Sequence, residues 1–204
     1  MISAALRRAL TAPGDPVLRP LPDQVVAMLE TVHAPPRLAA HLRAVHDVAA
    51  QLTDALADGF PQLPVDRSAV LFGAATHDIG KVLHPQELSG PGSSHEPAGY
   101  ELLLRHGVAP SLARFARTHA SWQQDGIGVD DLLVSLADKV WKGKRVTDLE
   151  GLLVDRLADA TGRERWSVFL DLDDVLDRIA ADADRRLAFQ ATHPVRDPHG
   201  VVDG

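Results

Sequence analysis

Apolar residues return along this chain at helical spacing rather than in alternation, and clusters of turn formers cut the pattern into successive helices. The strongest stripe runs from Arg37 to Leu56 behind Pro35-Pro36, with Leu38, Leu42, Val45, Ala49, Leu52 and Leu56 at steps of four and three. Before it, a short helix from Ile2 to Leu10 gives way to a loop broken by Pro13, Pro16, Pro20 and Pro22, and a second spans Asp23 to Val32. Val70, Leu71, Phe72, Ala74 and Ala75 mark a buried helix with Asp66 as its N-cap and Gly80 as its stop. Turn formers fill His84 to Ser94, a segment suited to a lid or a substrate wall.

Ser94 then opens a helix that runs to Gly107, and Pro110 starts another from Ser111 to Ala120. After a loop from Gln123 to Val129, Asp130 caps a helix from Asp131 to Trp141 that carries Leu132, Leu133, Leu136, Ala137 and Val140. Thr147-Asp148-Leu149-Glu150 has the form of a capping box and opens a helix ending ahead of Gly162. One long helix is expected from about Glu164 to Phe189, and a disordered tail from Ala191, where Pro194, Pro198 and two glycines follow. These elements predict an all-α bundle.

Composition narrows the chemistry. With 204 residues and 45% hydrophobic content the chain can bury the core of a single domain. A net charge of −7 argues against general binding to nucleic-acid backbones, although Lys139, Lys142, Lys144 and Arg145 form one local basic cluster. There are no cysteines, so any metal must sit on histidines and carboxylates. The arginines within Met1 to Arg8 and the lack of any run of roughly 20 apolar residues lead us to expect a cytoplasmic protein without a membrane partner. No Walker or Rossmann loop and no Gly-x-Ser-x-Gly elbow occurs.

Candidate chemistry gathers on His77-Asp78, which leaves the buried helix at its end, and on His41, His95, His119 and Asp138. Imidazole nitrogen with carboxylate oxygen suits Mn, Fe, Co or Zn, and admits Mg. Each residue alone has a plainer reading: a core histidine on a backbone carbonyl, or Asp138 in a salt bridge. The stripe places His41 on one shoulder and His46 on the other, and helical geometry does not choose between them. Asp171, Asp173 and Asp174 have the regular spacing of a solvated helix face, and Trp122 and Trp141 read as core.

Together His41, His77-Asp78 and Asp138 within Leu136-Ala137-Asp138-Lys139 resemble the H…HD…D signature of the HD-domain superfamily of metal-dependent phosphohydrolases, over about half the chain. The resemblance selects His41, because Val45, Val48, Ala49 and Leu52 follow it as in the family, and makes His46 a boundary or supporting residue. It implies an HD helical core over 37–145, preceded by short helices and a proline-rich loop in 1–36. Further helices in 146–190 would pack on that core, ahead of the tail at 191–204.

It also implies a first ion on His41, His77, Asp78 and Asp138, and a second on His95 and His119 with Asp78 shared. His95 with Gly99 matches the family's two-metal members, whereas His119-Ala120 stands where many have His-His, and no Gly-Tyr-Pro motif is present. The implied cofactor is one or two divalent ions. The implied reaction is hydrolysis of a phosphomonoester or phosphodiester/anhydride bond, in a nucleotide or related small phosphate, through a metal-bridging hydroxide. Asp78 and Lys81 would be catalytic, with Lys81, Lys142 and Arg145 binding substrate. Bacterial HD hydrolases with a similar ligand order and chain size split dinucleoside tetraphosphates symmetrically. A di-iron oxygenase of the inositol-oxygenase kind and a non-catalytic nucleotide-binding regulatory module are the alternatives, and a homodimer is left open.

Overall fold

Ser3 accepts the Leu6 N–H and opens α1 (Ala4–Thr11), which is followed by α2 (Asp23–Thr31) and the central α3 (Pro36–Gly59). The computed structural model describes residues 2–196, and no strand occurs among the described residues. α3 is buried on nearly every side, polar residues included, because α1, α4 (Arg67–Thr76), α8 (Val129–Val140), α10 (Arg165–Ala180) and α11 (Ala183–Ala191) all pack on it. Between α4 and α8 lie α5 (His95–Arg105), α6 (Pro110–Ala113) and α7 (Phe115–Thr118); α9 (Thr147–Thr161) bridges α8 and α10. Leu38, Leu42, Val45, Leu52 and Leu56 are all buried, as the stripe required.

Several ends differ from the sequence reading, some for tertiary and some for local reasons. Residues 111–120 do not form one helix: it breaks at Arg114, whose guanidinium takes the Ser111 carbonyl and also binds Asp131. The expected helix to Phe189 is likewise two, separated at Ala181 and Asp182. That break frees the Ile179 carbonyl to accept from the fully buried Arg186, whose Nε donates to the Trp141 carbonyl at 2.9 Å. Gly128, not Asp130, caps α8; Asp131 accepts its N–H, while Asp130 accepts from Asp66 N at the start of α4. Only half of the capping box at 147–150 forms: Glu150 accepts from Val146 N, and Thr147 makes no side-chain cap.

The disordered tail expected from Ala191 is corrected for residues 191–196, Ala191 closing α11. His193 is buried, Arg37 Nε donates to its carbonyl at 2.9 Å, and Arg37 N donates to Pro194 O at 3.1 Å. The rest of that expectation, His199 included, lies outside the described residues.

Candidate metal centre

Five helices meet where α3 passes the end of α4. α4 stops at Thr76, earlier than Gly80, and the chain continues through His77 and Asp78 into a 3-10 turn, Ile79–Val82. Gly80 has another task. A Cβ there would stand 2.0 Å from His95 O and 2.5 Å from Gly99 N, so the turn lies directly on the backbone of α5. This contact brings Asp78 and Lys81 from one element against His95, the first residue of the other. His119 follows α7, and Asp138 comes from the last turns of α8.

The six expected ligands are brought together, all buried, in two groups that share one residue. In the first, His41 Nε2 lies 3.3 Å from His77 Nε2, 3.1 Å from Asp78 Oδ2 and 3.6 Å from Asp138 Oδ1. His77 Nε2 lies 3.4 Å from Asp138 Oδ1. In the second, Asp78 Oδ1 lies 3.0 Å from His95 Nε2 and 3.6 Å from His119 Nε2. Donors each about 2.0–2.2 Å from one ion stand at such separations. Two Nε2 atoms facing each other at 3.3 Å, together with Asp78 Oδ1 and His95 Nε2 buried without hydrogen-bond partners, are what a cation would satisfy. The donor set fits divalent metal.

Three of the four far nitrogens are held as metal ligands require, while His41 Nδ1 is buried without a partner. His77 Nδ1 lies 2.9 Å from Ala74 O, His119 Nδ1 lies 3.2 Å from Phe115 O and His95 Nδ1 lies 2.6 Å from Glu87 Oε2. Each partner accepts the Nδ1 proton and leaves Nε2 as the donor. Burial pushes the His41 imidazole down, more than the nearby carboxylates raise it; burial and the charge of His77 take His119 to about 4. Burial also lowers His95, yet Asp78 and Glu87 outweigh it and raise the group. Burial by itself would raise Asp78 and Asp138, but surrounding histidines, and Lys139 for Asp138, hold both well below the usual carboxylate range. Two ionised carboxylates therefore face four imidazoles.

Beside the donors opens a cavity of about 470 Å³ lined in part by Lys81, Lys139, Lys142 and Trp141. Lys81 Nζ lies 2.5 Å from Asp78 Oδ2, and Lys139 Nζ lies 2.6 Å from Asp138 Oδ2 and over Trp122. Burial lowers Lys142, and neighbouring lysines add to the shift. Arg145 is not at the cavity, and its expected role there is corrected. Its guanidinium binds Glu150 at 2.9 Å, Asp173 at 2.5 Å and Asp177 at 2.6 Å, tying α9 to α10. Those bonds, against the opposing effect of burial, hold it above an ordinary arginine. His46 lies outside both donor groups. Trp141 stacks edge-on against His41 with ring centroids 4.8 Å apart, so it serves both core and cavity.

Two participants escaped the sequence reading. Lys139 was visible only as one cation of a basic cluster, although its place next to Asp138 could have singled it out. Glu87 was hidden in the loop before α5. It is buried, binds His95 Nδ1, and accepts from Ser94 N and His95 N at 3.2 Å each. A Cβ on Gly92 would meet its carboxyl at 2.5 Å, so the glycine leaves room for that acid.

A family model described as HD domain matches residues 38–161, and the chain belongs to that family, a superfamily of metal-dependent phosphohydrolases. No curated protein and no solved structure matches it. No helix among the described residues is long and apolar enough to cross a membrane.

Proposed function

We propose that this protein is a dinuclear metal-dependent phosphohydrolase, cleaving a phosphoester or phosphoanhydride bond of a nucleotide or related small phosphate. The observation that carries the reading is the division of Asp78: Oδ2 faces His41 and His77, and Oδ1 faces His95 and His119. His41, His77, Asp78 and Asp138 would hold one ion, and Asp78, His95 and His119 the other. Divalent ions in such a pair supply water of lowered pKa and Lewis-acid stabilisation of phosphoryl oxygens.

The chain itself supplies the rest. Glu87, Ala74 and Phe115 fix three imidazoles in the required tautomer. Lys81 and Lys139 stand where each ammonium can turn from its carboxylate to a phosphoryl oxygen, and Lys142 adds a third cation to the cavity. A cavity of about 470 Å³ with three lysines suits a small polyanion. The dinucleoside polyphosphates cleaved by HD hydrolases of similar ligand order are one such class.

The test is phosphate release from a nucleotide panel and a chromogenic phosphate ester, with Mn, Fe, Co or Mg added. Turnover that falls in Lys81→Ala without loss of bound metal supports the proposal. Tightly bound iron with no phosphate released from any substrate would replace it with the oxygenase reading.

A further inference from the structure

The metal cavity is not closed by the HD core alone. Leu187 and Gln190 of α11 line it, and both lie beyond the segment matched by the family model. They are three residues apart on one helix face. Their placement is fixed by neighbouring Arg186, which is fully buried and ties α11 to the carbonyl of Trp141, itself a lining residue.

Their chemistry differs from that of the cavity floor. The floor is histidine, aspartate and lysine, whereas Leu187 is an exposed leucine at 37% and Gln190 is a half-buried amide making no side-chain hydrogen bond among the described residues. Leu88 and Trp141 add apolar lining, and Trp141 Nε1 is buried without a partner. Phosphate oxygens can accept from the Gln190 amide and the Trp141 indole N–H, but an inorganic phosphate chain has nothing to offer Leu187 and Leu88. An organic group with an apolar face and a hydrogen-bonding edge covers the leucine and pairs the amide.

We propose that α11 forms the subsite for the organic part of the substrate, a nucleoside, with Leu187 against its apolar face and Gln190 on its polar edge. This rests on the phosphohydrolase reading above and extends it to substrate choice. Phosphates bind at the metal and lysine end, and the nucleoside projects along α11. Leu187 and Gln190 are specificity residues and touch no reacting atom.

The experiment compares ATP with inorganic tripolyphosphate, which share a triphosphate chain and differ by the nucleoside, in the presence of Mn²⁺. Wild-type protein, Leu187→Ala, Gln190→Ala and the conservative Leu187→Met are measured for kcat and KM on both. Leu187 is partly exposed, so the variants are expected to fold. The expected result is a preference for ATP in KM that shrinks about tenfold in Leu187→Ala, the scale of one aliphatic contact, and is largely kept in Leu187→Met. Equal changes on the two substrates would overturn the subsite, as would a lost preference in Trp122→Ala with none in Leu187→Ala. If neither substrate is hydrolysed, the wider panel and metals above decide the phosphohydrolase reading, and calorimetric binding of the same two compounds decides the subsite. An ATP preference in binding that is lost in Leu187→Ala supports it, and equal affinities refute it.

Discussion

Replacing Gly80 with alanine tests whether the turn that carries Asp78 and Lys81 is built on backbone contact with α5. The new Cβ would stand 2.0 Å from His95 O, 2.5 Å from Gly99 N and 2.9 Å from Gly99 Cα, where ordinary contact begins near 3.4 Å. All three atoms are backbone, so no side-chain rotation relieves the clash. The turn and α5 must separate by roughly an ångström, at the upper end of the range of about 1–3 kcal/mol typical of overpacking. For a chain of this size that lowers Tm by about 5–10 °C. The same separation opens the 3.0 Å gap between Asp78 Oδ1 and His95 Nε2, so metal binding at the proposed second position should weaken more than at the first.

Differential scanning calorimetry with chelator measures the first effect, and calorimetric metal titration the second. Gly59→Ala is the control: nothing lies within 4 Å of its Cβ, so it is expected to be neutral or to stabilise by about 0.5–1 kcal/mol. A Gly80→Ala protein that melts within about a degree of wild type and binds both ions unchanged would refute the reasoning.

Glu87→Gln keeps the shape of the carboxylate but offers one acceptor oxygen to three N–H donors, so His95 loses its fixed tautomer or Ser94 its partner. The second ion should then bind about 10–100-fold more weakly while the first is untouched, as read by equilibrium dialysis and elemental analysis. His46, buried and surrounded by Arg19, Arg67 and Arg43, is lowered to about 4, first by burial and then by those charges. Its unfolded value is 6.5, so the stability it contributes is whole above that pH and is lost as pH falls towards 4. The loss amounts to about 3 kcal/mol, and urea denaturation of His46→Leu should show a correspondingly shallower acid decline than wild type. Arg145→Ala should cost about 1–3 kcal/mol in the same assay, because buried Glu150 loses its charged partner, and should leave metal content unchanged.

The residues that are legible in sequence are those whose neighbours carry helical periodicity. His41, His77, Asp78 and Asp138 each sit on or at the end of an apolar stripe, which fixes the direction each faces, and the family pattern separates His41 from His46. His95 and His119 stand at helix ends, where only the resemblance distinguished them from ordinary histidines. Glu87 has no periodic neighbours: it lies in a loop and acquires meaning only when that loop folds onto α5. Arg145 and Lys142 look alike in a basic turn, and what divides them is the acids of α9 and α10, up to 32 residues further along. The breaks at Arg114 and at Ala181-Asp182 are equally invisible locally, since a guanidinium group claiming a carbonyl of the preceding helix accompanies each.

In the proposed reaction Asp78 divides its two oxygens between two ions that together hydrolyse phosphate. The most direct measurement is elemental metal content of wild type and Asp78→Ala after dialysis against Mn²⁺, with phosphate release followed on the same samples. Two equivalents and turnover are expected in wild type, with metal and turnover lost together in the variant. Two equivalents retained by Asp78→Ala, or hydrolysis that survives without metal, would contradict that reaction.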